Sequence, residues 1–423
     1  MKIAVVGSGI SGLTSAYYLS KEHEVSLFEA NNYLGGHTDT HNIDVAGQQY
    51  RIDTGFIVFN HENYPGFTAL LDELGVSSQP TEMSFSVHNT LSGLEYNATD
   101  LNRLFCQRIN LVNPRFYMML WDLLRFYREA PKLLESSDDT LTIGEYLHQN
   151  RYSKVFVDDH LLPMACALWS GPSVSIRDFP ARYFVSFMNN HRMLSVTDRP
   201  QWRVVKGGSN SYVEALIKAS NAQFHLASPV QRIVRDASGV TLIVNGESLR
   251  FDKVVIATHS DQALQMLAKP SVAEVAVLGD IRYQQNDMLL HHDTSILPGR
   301  RAAWASWNVR VCPELTSQCT VSYHMNTLQG LDDQQPFIVS LNSEHLVDPA
   351  KVYLSRRYAH PIYNTDTLRA QKRWQDFVGE QHTYYCGAYW GWGFHEDGVK
   401  SALRVISHMH QYHTIREGNI HAG

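Results

Sequence analysis

Three glycines and an acid near the start of the chain have the types and spacing to hold a dinucleotide. Gly7, Gly9 and Gly12 stand in the run Gly7-Ser8-Gly9-Ile10-Ser11-Gly12, and Glu29 follows 17 residues after Gly12, with Ala30 beside it. Gly7 permits a tight turn, Gly9 lets backbone approach a pyrophosphate, and Gly12 lets a helix pack close to strands. A helix starting inside this run presents unpaired N–H groups and a partial positive charge to the phosphates. A carboxylate at Glu29 accepts hydrogen bonds from ribose hydroxyls and repels a 2′-phosphate, which disfavours NADP.

These residues need elements to position them, and the neighbouring sequence supplies them. Lys2–Val6 reads as a short apolar strand and Glu24–Phe28 as a second, ending at the acid. Between them Leu13, Ala16, Tyr17 and Leu19 mark the apolar side of a helix over 13–20. A secretory leader fits poorly: the stretch has one Lys ahead of the apolar run, and Lys21-Glu22-His23-Glu24 follows without a small-residue cleavage pattern.

Length and composition narrow the function further. A chain of 423 residues exceeds one ordinary core, so two domains are expected. Hydrophobic residues are 44% and charged residues 18%, which suits a globular protein. The net charge of −6 offers no attraction to nucleic acid. No run of about 18 apolar residues occurs, so no membrane span is expected. The five cysteines (Cys106, Cys166, Cys312, Cys319 and Cys386) are scattered and form no CxxC pair. That favours a reducing compartment and argues against a zinc site or a disulfide frame. The 21 histidines include no HExxH or similar spacing, so no metal site is expected.

Further along, Asn31-Asn32-Tyr33-Leu34-Gly35-Gly36-His37-Thr38 follows the acid, a Gly-Gly loop stripped of side chains. A strand over 48–54 leads into Asp53-Thr54-Gly55-Phe56, and Pro65–Leu74 reads as a helix stopped by Gly75. Helices are expected over 114–134, with Arg115, Arg125, Arg128 and Lys132 beside a broad apolar surface, and over 155–170, ended by Gly171-Pro172. Thr142 and Glu145 have capping-box spacing. Strands are expected at 224–226, 230–235, 240–244 and 251–257, then around 288–290, 303–309, 320–323 and 337–341 as an antiparallel sheet. The chain closes with a strand and turn over 384–388, a loop through Gly391-Trp392-Gly393-Phe394-His395, and a helix over 399–408.

This succession of GxGxxG, acid, Gly-Gly and Asp-x-Gly resembles the N-terminal pattern of FAD enzymes related to monoamine oxidases and phytoene desaturases. The resemblance implies an α/β fold, with a Rossmann-like FAD-binding domain and an interleaved α+β substrate domain. It implies non-covalent FAD held by Gly7, Ser8, Gly9, Ile10, Ser11, Gly12, Glu29, Ala30, Gly35, Gly36, His37, Thr38, Gly55, Phe56, Val230, Gly387, Ala388, Gly398 and Val399. The family usually has Arg where this chain has His37, and an acid where it has Ala388. His291 falls roughly where amine oxidases place a lysine near flavin N5, which makes it the catalytic candidate; a His can move protons near neutral pH. Tyr389, Trp390 and Trp392 are the expected aromatic wall on the substrate side. Cys386 lies inside the strand and turn, not upstream of it where related oxidases attach their flavin.

A closer resemblance, through segments such as Gly55-Phe56-Ile57-Val58-Phe59-Asn60, Trp202-Arg203 and Trp304-Ala305-Ser306-Trp307-Asn308, is to a bacterial family of FAD/NAD-binding oxidoreductases often encoded beside cyclopropane fatty-acyl phospholipid synthases. It implies a hydrophobic or lipid substrate, a modified fatty acyl chain or phospholipid, with the protein in the cytoplasm or peripheral at the inner membrane face. A flavin amine oxidase is the alternative, and a non-catalytic lipid-binding protein on the same fold a second. The expected division is residues 1–76, 200–262 and 376–423 for FAD, with 77–199 and 263–375 for substrate.

Overall fold

The computed structural model describes residues 1–169, 176–312, 320–332 and 334–420, with only the helical course given for 411–420. Gly171-Pro172, expected to break a helix, and Cys319 lie outside these residues. A parallel sheet forms from five strands in the order Thr383–Tyr385, Lys253–Ile256, Lys2–Val6, Glu24–Phe28, Gln223–His225. Its central strand is buried at Ile3, Ala4, Val5 and Val6 alike, the continuous apolar run of a strand covered on both faces. The helix Ile10–Leu19 follows after the three-residue turn 7–9, and a Cβ on Gly12 would stand 1.9 Å from the Gly7 carbonyl oxygen. Only glycine fits that crossing.

The strand expected over 251–257 is two strands. Glu247–Phe251 closes an antiparallel three-stranded sheet with Val230–Asp236 and Gly239–Val244, while Lys253–Ile256 joins the parallel sheet. Asp252 makes the break: its carboxylate accepts the Lys2 N–H at 2.7 Å. The charged pair Asp252-Lys253 marks the break in the sequence, but not the change of sheet.

A second sheet has seven strands in the order Val352–Pro361, Tyr283–His291, Ile338–Leu341, Thr320–His324, Trp307–Val311, Phe85–Asn89, Leu94–Asn97. It is mixed rather than antiparallel throughout, because Phe85–Asn89 lies parallel to Trp307–Val311. Helices pack beside it. Pro114–Glu129 is α-helical, and the chain continues to Glu135 as a 3₁₀ turn from the point where Pro131 interrupts the hydrogen bonds. The helix expected over 155–170 contains a π turn at Val157–Leu161 between Lys154–Phe156 and Leu162–Trp169. Pro163 cannot donate to Asp159, and the wider turn absorbs the missing bond.

Core packing runs across the expected segment boundaries. Ala263, Val277, Leu278 and Trp374 join the core around the parallel sheet. Ile43, Ile52 and Ile57 instead pack with Met288, Leu290 and Phe337 of the second sheet.

Candidate active site

The carboxyl ends of the central parallel strands open on one edge, where ligands of such sheets bind. A cavity of about 1510 Å³ begins there and reaches the second sheet. Its first end is the glycine turn. Gly7 has φ +99° and donates its N–H to the Phe28 carbonyl at 2.9 Å. The Ile10–Leu19 helix has no side-chain cap, so its first N–H groups stay available to an anion, and Ile10 and Ser11 line the cavity. A Cβ built on Gly9 meets nothing within 4 Å, so the open side of the turn faces the cavity rather than protein. Glu29 is buried, and its Oε2 accepts the Ser8 N–H at 2.9 Å and the Ser8 hydroxyl at 2.6 Å. The acid therefore braces the turn as well as bordering the space a ribose needs.

The middle of the cavity is bordered by Gly55, Phe56, Tyr358, Gly387 and Ala388, and by four histidines: His37, His259, His360 and His395. The His37 ring centroid lies 5.9 Å from His259, 5.4 Å from His360 and 5.0 Å from Tyr358. Burial pushes His37 down to about 4, helped by repulsion from His259. Burial does the same to His259, to about 4, and to His360, to about 3, each aided by a neighbouring histidine. His395 is likewise held well below its usual value by burial and then by His37. It stacks on Phe56 at 3.5 Å and shares its Nε2 with the Tyr212 hydroxyl at 2.9 Å and the Thr38 hydroxyl at 3.1 Å. The His37 Nε2 is buried without a partner among the described residues.

The far end is an apolar arm. Leu104, Leu120, Leu123 and Tyr127 border it from one helix layer, and Met164 and Leu168 from another. Both helices singled out from sequence thus face the same space.

Most predicted contacts converge on this cavity. Gly7, Ser8, Gly9, Ile10, Ser11, Glu29, Ala30, Gly35, Gly36, His37, Gly55, Phe56, Val230, Gly387, Ala388, Tyr389 and Trp392 all line it. Gly12, Thr38, Gly398 and Val399 are not among the lining residues. Gly398 is wedged against the first helix, where a Cβ would come within 2.6 Å of Ile10. The catalytic candidate and one residue of the expected aromatic wall also lie off the cavity. His291 is fully buried inside the second sheet, its Nε2 paired with the Ser340 hydroxyl at 2.8 Å and its Nδ1 with the Asp293 N–H at 3.1 Å. On that strand Tyr283 and Gln285 reach the cavity instead. His291 lies six positions beyond Gln285, about 20 Å of strand. Trp390 turns into the first core, near Arg404, rather than into the cavity.

His259, Tyr358, His360 and His395 escaped the sequence-based site. His259 lies three residues beyond the strand Lys253–Ile256, just outside its carboxyl end, and that position was the readable signal. Tyr358 and His360 come from an edge strand that hydropathy alone does not single out.

The sequence profile of flavin-containing amine oxidoreductases matches residues 10–285. The chain belongs to that family. It is 27% identical to the 4,4'-diapolycopen-4-al dehydrogenase of Metabacillus indicus over 303 residues, 64% of this chain and 58% of that one. To the L-amino-acid oxidase of Siganus canaliculatus it is 25% identical over 319 residues, 69% of this chain and 55% of that one. The chain thus spans somewhat more than half the length of these relatives. In fold it is similar to cyclohexylamine oxidase from Brevibacterium oxydans, with a TM-score of 0.69, 16% identity and coverage of 97% and 99% of the two chains.

FAD is the cofactor of this flavoprotein. The residues present fit it: an uncapped helix start for the pyrophosphate, a glycine open to the cavity, an acid at the ribose position and an orphaned His37 nitrogen. The place of the family's usual arginine is taken by His37, a half-buried imidazole whose charged form is disfavoured by desolvation, and Ala388 offers no side-chain hydrogen bond. Cys386 is fully buried, and its sulfur faces the Ser15 hydroxyl at 3.6 Å. Burial pushes its thiol up to about 12, which suppresses the thiolate needed for a flavin link.

Proposed function

We propose that this chain is an FAD-dependent oxidoreductase that removes hydrogen from a long apolar substrate, a modified fatty acyl chain or phospholipid. The observation that carries the reading is the shape of the cavity: one continuous space runs from the glycine turn past Gly387 and Tyr389 into an arm of leucines and methionine. Pockets for small ligands are usually about 300–1,000 Å³; at about 1510 Å³ this one leaves room for a second molecule beside a dinucleotide. Each CH₂ of an acyl chain buried there contributes roughly 0.8 kcal/mol, so binding needs few polar contacts.

Bound FAD supplies the hydride acceptor. The chain's own residues then bind, orient and exclude water. The first helix and Glu29 hold the nucleotide. Phe56, packed on His395, and Tyr389 wall the reacting end, while Leu120, Leu123 and Met164 align the acyl chain. Tyr183 donates to the Gly391 carbonyl at 2.9 Å, fixing the loop that carries Trp392 into the cavity. Burial disfavours the charged form of these histidines, so they place no fixed charge beside the acyl chain. The two sheets correspond, in this reading, to a cofactor domain and a substrate domain.

The test is anaerobic mixing of the oxidised protein with methylated or cyclopropanated phospholipids. Bleaching of the visible flavin absorbance, with loss of two hydrogens from an acyl chain by mass spectrometry, is the expected result. Bleaching by simple amines and by no lipid overturns it in favour of an amine oxidase.

A further inference from the structure

The outer wall of the apolar arm carries a second hydrophobic surface. The helix Pro114–Glu129 buries Phe116, Met119 and Phe126 on one side, as an amphipathic helix does. Its opposite side is apolar too. Tyr117, Met118, Trp121 and Leu124 are exposed, Trp121 to 67%. Residues 117, 121 and 124 recur at helical spacing and so form a stripe. The 3₁₀ turn before the helix adds Ile109, Leu111 and Val112, the last 75% exposed. Scattered exposed apolar residues are ordinary, but a group of this size marks an interaction surface.

Charge and continuity identify the occupant. Residues 101–128 hold five arginines in a chain whose net charge is −6; Arg103 pairs with Glu82 and Asp100, and Arg128 with Glu129, while Arg108 and Arg115 stand outside these pairs. Asp122 is buried and already accepts the Ser153 N–H at 2.7 Å and pairs with Arg125 at 3.2 Å. Arg108 and Arg115 are exposed. Arg108 donates to the Phe105 carbonyl and the Asn102 side chain, leaving its charge uncompensated by an acid among the described residues. Arg108 and Arg115 therefore give this face a local positive charge on an acidic molecule. Leu101, Leu124 and Val196 are at once exposed and part of the cavity lining, so the surface is the rim of the apolar arm. An indole and aliphatic side chains fringed by arginine match the interface of an anionic bilayer. There Trp sits at headgroup level, and arginine stems lie along apolar surface with their heads at phosphates.

We propose that residues 109–124 dock the protein on an anionic phospholipid bilayer, and that an acyl chain passes between Leu101, Leu124 and Val196 into the cavity. The entry step rests on the substrate reading above; the docking step does not. The experiment is flotation of the FAD-loaded protein with vesicles of phosphatidylglycerol and phosphatidylcholine, or of phosphatidylcholine alone. Wild type should float with the anionic vesicles and less so in high salt. The double variant Val112→Glu/Trp121→Glu should partition about tenfold less or weaker, with its flavin spectrum unchanged. Arg108→Gln/Arg115→Gln should weaken binding to the anionic vesicles only. Equal flotation of wild type and the Val112→Glu/Trp121→Glu variant, or none with either vesicle, overturns docking. So does light scattering that finds a dimer which this variant converts to monomer, since a second copy then covers the face. Vesicle binding without flavin bleaching by any lipid discards entry and leaves docking standing.

Discussion

Gly9 and His37 carry the sharpest consequences at the scale of single residues. The open space at Gly9 means that a side chain there costs the apoprotein little. Gly9→Asp should fold normally by circular dichroism yet purify colourless, because its carboxylate would stand against the pyrophosphate. A yellow variant at full FAD occupancy would remove the glycine turn from the site. His37 makes a pH prediction. Its pKa is about 4 without an anion, through burial first and His259 second. The anionic pyrophosphate, held near its orphaned Nε2, would raise that value, so the proton-linked part of FAD affinity is full below about pH 4 and is lost as pH rises through the raised value. The dissociation constant from flavin fluorescence should therefore increase as pH rises from about 4. His37→Gln should flatten the slope, and any residue of it reports His259, His360 or His395. An unchanged slope in His37→Gln would absolve His37.

Elements are tied together by one buried ion pair. Arg235, on the strand Val230–Asp236, meets Glu274 of the helix Val272–Gly279 through two contacts of 2.5 and 3.0 Å. The Tyr385 hydroxyl, at the end of the parallel strand Thr383–Tyr385, donates to the same carboxylate at 2.6 Å. Burial would raise the Glu274 pKa, but the Arg235 and Tyr385 hydrogen bonds outweigh it and hold the group below its usual value. A depressed carboxylate stabilises the fold above its unfolded value of about 4.3 and loses that contribution as pH falls through the folded one. Arg235→Ala leaves the charge buried and unpaired and should cost about 3–5 kcal/mol. Thermal melting and hydrogen exchange of strand 230–236 check this; a loss under about 1 kcal/mol would mean that the pair is solvated.

On the scale of the whole molecule, the cavity joins two sheets that share no strand, and its arm is the part that selects substrate. Leu123 lines that arm from the Pro114–Glu129 helix, away from the glycine turn. Leu123→Trp should therefore leave the flavin spectrum and FAD affinity as they are and reduce bleaching by long-chain lipids at least about tenfold, the order expected when a packed apolar site is overfilled. Equal loss of FAD would show that the arm and the cradle are one unit. The same division governs flavin attachment: acid precipitation should leave a colourless pellet, since Cys386 faces Ser15.

Local chemistry was legible in the residues themselves. The turn at Gly7, the crossing at Gly12, the stop at Gly75 with φ +68° and the capping box of Thr142 and Glu145 each depend on neighbours within a few positions, and the structure has them where the sequence puts them. Dinucleotide binding was legible for the same reason, because turn, helix start and acid lie within thirty residues. What the tertiary structure alone decided involves partners far apart in the chain. His37, His259, His360 and His395 meet only because two sheets face each other, and no periodicity within one segment encodes that. His291 and Gln285 share a strand and a polar character; which of them reaches the cavity depends on how far along the sheet the parallel-strand edge falls. Asp252 divides the strand expected over 251–257 because the N-terminal strand arrives to bind it, a contact across 250 positions.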